Sequence, residues 1–199
     1  GSLSDLGHAS WEVYPSGEKA VKFANLEADK SILVSDSLVT LGQQWTYEAW
    51  VKVNAIDTSK QSSILYLEKK IWNAPAKEQV RGGVKVLRGS DDAHIAMNAF
   101  LGFGYDDGTD GGAMEWVNLD SDTELELGVW AHLALVRDGN YVSLNVNGNE
   151  VGYAEQALVP EDQAQLAWAV IGCNKDKDGG STDMEVARAA LTPRALNID

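Results

Sequence analysis

The segment from Asn174 to Glu185, NKDKDGGSTDME, sets oxygen-bearing side chains at the alternation a hard cation needs. It fits the calcium-loop pattern D-x-[DN]-x-[DN]-G-x5-E at every position but the first, where Asn replaces Asp. Calcium takes about six to eight oxygens at about 2.3–2.6 Å. Asn174, Asp176 and Asp178 are spaced to converge as the first, third and fifth ligands, Gly179 permits the sharp turn, and Gly180 offers a carbonyl. Glu185 closes the pattern, with Asp183 as its natural substitute. The preceding AWAVIG is β-like, so the entering helix of a helix–loop–helix site is missing. The expectation is a calcium loop in a β context, with an ordinary polar turn between strands as the alternative.

A second cluster, GYDDGTDGG, crowds Asp106, Asp107 and Asp110 among glycines. Like charges at this density repel one another, and a bound cation would offset that; a solvated acidic loop is the other reading. Asp91 and Asp92, in GSDDAH, read as a simple turn. Rings near these segments supply the other half of a binding site. Trp72, Tyr105 and Trp116 fall in or beside expected loops, where a ring could stack on a sugar or cover a peptide side chain. Tyr105 and Asp110, beside and within the acidic cluster, make it a candidate ligand contact as well as a metal site. Trp45, Trp50 and Trp130 lie in β-type runs and are expected in the core, and His132 is expected to be a hydrogen-bonded structural residue. Lys60, Lys69, Lys70, Lys77 and Arg81 gather loosely about one long segment; they could meet an anionic ligand, or simply be solvated.

Catalytic patterns are missing. A retaining glycosidase needs two carboxyls about 5–5.5 Å apart, which alternate positions of one strand supply. Asp120, Asp122, Glu124 and Glu126 alternate correctly, but their surroundings read as turn. No G-x-S-x-G, H-E-x-x-H or phosphate loop occurs. The chain is expected not to be an enzyme.

The elements that must hold these residues are short alternating runs between turn residues. KAVKFANL puts Val21 and Phe23 on one face, and WTYEAWVKV alternates Tyr47, Ala49, Val51 and Val53 against Thr46, Glu48, Trp50 and Lys52. WAHLALV passes through Asp138-Gly139-Asn140 into YVSLNV, and Asn147-Gly148 then gives a strong hairpin signal. LAWAVIGC supplies another buried strand. Few helical stripes compete, so the spacing predicts an all-β sandwich. Lys69 to Gly83 is expected to be a surface loop, and MEVARAALTPRAL a terminal helical turn or an irregular strand. Gly1-Ser2 is read as an expression scar, and residues 3–199 as a single domain with enough chain for a real core.

WTYEAWVKVN resembles the TxEaWVk strand of laminin-G-like domains, and GVWAHLALVRDGNYVSLNVNGNEVG is similar to their W-x-H-x-A-x-V-x-D-G … L-x-V-N-G hairpin. GEKAVKFANLEADKSILVSDSLVTLG looks like the opening strand pair, and the closing IGCNKDKDGGSTDMEVARAALTPRAL like the final strand, though shorter and richer in Ala. The likeness spans about three quarters of the chain. Laminin-G-like domains belong to the concanavalin A-like group, with pentraxins and legume lectins. It implies two stacked antiparallel sheets in jelly-roll order, usually non-catalytic, often with calcium at the rim. The composition is also similar to that of ligand-binding modules in bacterial RTX-type adhesins.

Charge and cysteine use narrow the partners. A formal charge of -14, from 30 acidic and 16 basic residues, excludes nucleic acid, which needs clustered Lys and Arg. No apolar run reaches the roughly 18 residues of a membrane helix, so no membrane insertion is expected. Cys173 is the only cysteine, so no internal disulfide forms; it sits in an apolar run and is expected in the core. Together these describe a calcium-dependent adhesion module, monomeric within a larger secreted or cell-surface bacterial protein, binding carbohydrate or peptide at a calcium-bearing rim. The alternatives are a glycan-processing enzyme of the same group and a calcium-stiffened spacer.

Overall fold

A computed structural model describes residues 9–13, 19–23, 33–34, 38–57, 62–69, 80–105, 113–155, 165–172 and 182–196. The loop ligands Asn174, Asp176, Asp178 and Gly180, the acidic residues Asp106, Asp107 and Asp110, and Trp72 and Cys173 lie outside them.

The described residues form strands and turns without a helix. In chain order the strands are β1 (Ala9–Val13), β2 (Lys19–Phe23), β3 (Leu33–Val34), β4 (Val39–Leu41), β5 (Gln44–Ile56), β6 (Ser62–Lys69) and β7 (Val80–Arg88). Then come β8 (His94–Tyr105), β9 (Ala113–Glu126), β10 (Trp130–Asp138), β11 (Tyr141–Val146), β12 (Asn149–Glu155), β13 (Gln165–Ile171) and β14 (Thr182–Thr192). One sheet has the order β1-β2-β14-β5-β10-β11-β12; the second has β3-β13-β6-β7-β8-β9, with β4 also on β13. Every pairing is antiparallel, giving the jelly-roll sandwich expected.

The period-two pattern decides what is buried. From the first sheet, Trp45, Tyr47, Ala49, Val51 and Val53 of β5 and Leu133 and Leu135 of β10 point inward. They meet Ile95, Met97, Ala99, Leu101 and Phe103 of β8 and Val117 and Leu119 of β9 in one apolar cluster. Tyr47 reaches across it, its hydroxyl donating to the Val170 carbonyl of β13 at 2.8 Å. Arg137 also faces inward, with its guanidinium 4.7 Å from the Phe103 ring centroid and donating to the carbonyls of Gly139 and Gly42. Burial lowers its pKa to about 10. Asn147 and Gly148 both take positive φ, 50° and 83°, the primed turn that matches strand twist.

Four expectations change or resolve here. Trp50 is 39% exposed and Trp130 half-buried rather than in the core, because alternation puts both on the outer face, with Glu48 and Lys52. The supposed loop from Lys69 to Gly83 contains the end of β6 and the start of β7, so only 70–79 connects them. The acidic run from Asp120 to Glu126 belongs to β9, not to a turn: three residues, 121–123, bulge opposite Met97, and the Ser121 hydroxyl accepts from the Thr123 amide at 3.0 Å. The C-terminal segment is the irregular strand, β14, whose pairing with β5 slips between Ala187 and Ala190 around Arg188 at φ 51°.

Candidate functional site

The outer face of the second sheet gathers the chemistry. Register places Trp168 of β13, Glu68 of β6, Arg81 of β7, Gly102 of β8 and Trp116 of β9 in one rung across five strands. The next rung reads Val170, Tyr66, Gly83, Phe100 and Asn118, and the one after it Ser63, Lys85, Asn98 and Asp120. Glycines shape this surface. A Cβ on Gly102 would lie 2.5–2.8 Å from atoms of the Trp116 indole, so the absence of a side chain lets that ring lie flat over β8. Trp116 is nevertheless 40% exposed and stacks on Phe100 at 6.5 Å and 25°.

Gly83 acts similarly one rung along. Tyr66 and Phe100 stand on strands two apart, about 9.6 Å by strand spacing. Their ring centroids are 5.8 Å apart, because the rings lean together over the bare glycine between them. Tyr66, Phe100 and Val170 are buried together with Trp168 packed against them, a small apolar cluster on the outside of the sheet.

Ionic groups are set into this aromatic floor. Glu68 is only 3% exposed and faces Arg81 across the ladder. The Arg81 Nε is buried and has no hydrogen-bond partner among the described residues. Lys85 Nζ lies 4.0 Å from the Phe100 centroid, and partial burial lowers its pKa. At the edge, the Asn98 amide donates to Asp120 at 2.6 Å. Glu124 accepts from the Ser90 amide and hydroxyl, each at 2.6 Å.

The outer face of the first sheet is different in kind. His132 meets Glu48 at 3.1 Å and lies 5.4 Å from the Trp50 ring, the structural role expected of it. Lys52 pairs with Glu185 at 2.5 Å and sits over Trp130 at 5.7 Å. Tyr141 stacks on Tyr153 and donates to Glu150; burial, then that carboxylate, pushes its pKa up to about 12. Acids and bases here satisfy one another.

Strand direction sorts the remaining sequence candidates. β6 and β8 run together, opposite to β7 and β13. The segments 70–79, 106–112 and 156–164 therefore attach at one end of the second sheet, next to the rung of Trp168, Glu68, Arg81 and Trp116. Tyr105 is the last residue of β8, at that end. The segment 173–181 instead leaves from the opposite end, after β13. Of the pattern's last members, Asp183 accepts from the Asn54 amide at 3.0 Å, and Glu185 is ion-paired on the same strand face. Among the described residues no three carboxylate, imidazole or thiol groups converge as a metal site.

Sequence reasoning missed Tyr66, Glu68, Lys85, Phe100 and Trp168. Their signal was present: Tyr66 alternates with Glu68, Arg81 and Lys85 flank Gly83, and Phe100 precedes Gly102 by two. Each pair marks a strand face that is neither core-like nor plainly solvated.

Solved structures share this architecture. The chain matches a native heptameric SAP-like pentraxin from Limulus polyphemus at TM-score 0.61 and 17% identity, covering 90% of this chain and 77% of that one. An endo-β-1,4-glucuronan lyase from Trichoderma reesei matches at 0.64 and 10%, over 100% and 92%. Domain 4 of AbnA, an arabinanase from Geobacillus stearothermophilus solved with arabinotriose, matches at 0.53 and 18%, over 94% and 78%. No curated protein sequence matches significantly. The sandwich, its core and its hairpins accord with a laminin-G-like family profile that matches residues 26–197, and the chain belongs to the concanavalin A-like lectin/glucanases superfamily.

Proposed function

We propose that this chain is a non-catalytic carbohydrate-binding module with calcium at its loop rims, working in adhesion as part of a secreted or cell-surface protein. One observation carries the reading: a row of rings, Trp168, Tyr66, Phe100 and Trp116, interleaved with Glu68, Arg81 and Lys85 across the outer face of the second sheet. Flat rings take the apolar faces of sugars, while ionic groups between them bond hydroxyls. Four strand intervals separate Trp168 from Trp116, about 19 Å, room for a short oligosaccharide. The arabinotriose bound to the AbnA domain and the glucuronan of the lyase supply the ligand class as analogy.

Calcium suits the oxygen-rich donors of the two acidic segments. Asp183 keeps acceptor capacity while held by Asn54, whereas Glu185 is already neutralised by Lys52. Asp183 is therefore the better residue to close the 174–183 loop. No helix among the described residues is long and apolar enough to cross a membrane.

A glycan array in calcium, compared with a peptide library, tests the reading. Binding to a glycan that is lost in Trp116→Ala supports it, and binding to peptides alone overturns it. The rival reading, a glycan-processing enzyme, gains from the acidic run being on a strand. Asp120 and Glu124, however, are engaged by Asn98 and Ser90. New reducing ends or unsaturated ends from an array polysaccharide would favour the enzyme.

A further inference from the structure

We propose that the outer face of the second sheet selects an acidic sugar, whose carboxylate is gripped by Arg81 with Lys85 as a second positive charge. This rests on the carbohydrate reading and names the ligand class within it. Both cations come from β7, the strand at the centre of the aromatic face, and both point outward, with Gly83 between them. Their Cα atoms are about 14 Å apart along the strand, so two successive charges on one chain of sugars could be met.

The surroundings favour a carboxylate over a hydroxyl. Arg81 stands on the outward-facing alternation of β7, and its planar guanidinium fork is the group best matched to a carboxylate. The Trp116 indole, spread over Gly102, is its neighbour along the rung on one side. Lys85 rests on Phe100 with its charge partly desolvated. Ion pairing gains strength where apolar rings displace water.

The acids on this face do not cancel the site. Glu68 lies opposite Arg81 on the neighbouring strand, and Asp120 is held at the sheet edge by Asn98. The chain's overall charge of -14 repels anions at long range, but the Debye length of about 8 Å at physiological salt confines that effect. A negative protein with two cations embedded in its aromatic face is arranged for local recognition of an anion.

The test uses calorimetric titration at fixed calcium, with glucuronate, galacturonate and mannuronate oligosaccharides, their carboxyl-reduced neutral counterparts, and a heparin-derived sulfated oligosaccharide. The expected result is at least one uronate bound about tenfold or more tighter than its reduced counterpart. Arg81→Gln should abolish that preference by lowering uronate affinity more than neutral affinity, in a chain that still unfolds cooperatively; Lys85→Gln should reduce it. Trp116→Ala should weaken acidic and neutral sugars alike. Equal binding of acidic and neutral forms, still lost in Trp116→Ala, overturns this inference and leaves the carbohydrate reading standing. Preference for the sulfated probe overturns the carboxylate assignment, and no binding of any sugar by the folded protein overturns both.

Discussion

Gly83 joins the fold to the site, and replacing it with Ala tests both. It takes φ +155°, a region that L side chains rarely enter. The cause lies on β6, where Ser63 pairs with Lys85 but Leu65 with Val84, so Ile64 bulges. That bulge brings the β6 backbone against β7, and a Cβ on Gly83 would collide with the Leu65 carbonyl oxygen and crowd the Tyr66 Cα at 3.0 Å. Strain at such a dihedral costs about 1–3 kcal/mol, and forced packing against a backbone that cannot move costs about 1–3 kcal/mol more. A loss of about 4 kcal/mol should lower the melting temperature by about 8–16 °C at this chain length. Differential scanning fluorimetry measures it, with Gly42→Ala as control, since a Cβ there meets nothing within 4 Å. If Gly83→Ala melts within about 2 °C of wild type, less than about 1 kcal/mol, the bulged register is wrong. The ring pair leaning over Gly83 would then have to be redrawn as well.

Two further perturbations probe buried and exposed titrating groups. Tyr47→Phe removes the donor to the Val170 carbonyl and should lower stability by about 1–3 kcal/mol with an unchanged denaturant slope. Burial raises the Tyr47 pKa above its ordinary 10, so its contribution is complete below pH 10 and lost above it; alkaline unfolding should begin at higher pH in Tyr47→Phe. The hydrogen bond that the His94 ring donates to the Asp91 carboxylate, chief among several causes, raises the His94 pKa above 6.5. The stability it confers is full below pH 6.5 and fades as pH rises through the raised value. An NMR titration should place His94 above 6.5 in the native chain and lower in Asp91→Asn.

Much of the sandwich was legible because its period is local. β5, the β10–β11 pair and the Asn147-Gly148 turn each follow from one short continuous stretch of sequence. The errors came where residue type was weighed above period. The size of Trp50 points to the core, but Glu48 and Lys52 share its face. The polarity of the acids from Asp120 to Glu126 points to a turn, but they alternate with Leu119 and Leu125, both buried in β9. The aromatic face was hidden for another reason. Trp168, Glu68, Arg81 and Trp116 span a hundred residues of chain, and only register, set by the bulge at Ile64, makes them neighbours.

If the two acidic segments bind calcium as proposed, the opposed ends of the second sheet would give the ions two separable jobs. The segment with Asn174, Asp176 and Asp178 leaves from the end away from the Trp116 rung, and the segment with Asp106, Asp107 and Asp110 from the end beside it. On that proposal, an ion held by the first segment would stiffen the junction of β13 and β14 away from a ligand at that rung, and one held by the second would stand beside such a ligand. Saturation at about a hundred times Kd contributes about 2.7 kcal/mol per site, a rise of about 5–11 °C in melting temperature at this length. Asp176→Asn with Asp178→Asn should remove one such rise and leave glycan affinity unchanged. Asp107→Asn with Asp110→Asn should weaken glycan binding in calcium but not in EDTA. No thermal shift between calcium and EDTA in the native chain would refute the metal at both ends. Loss of glycan binding in the Asp176 and Asp178 variant, with its fold intact, would refute their separation.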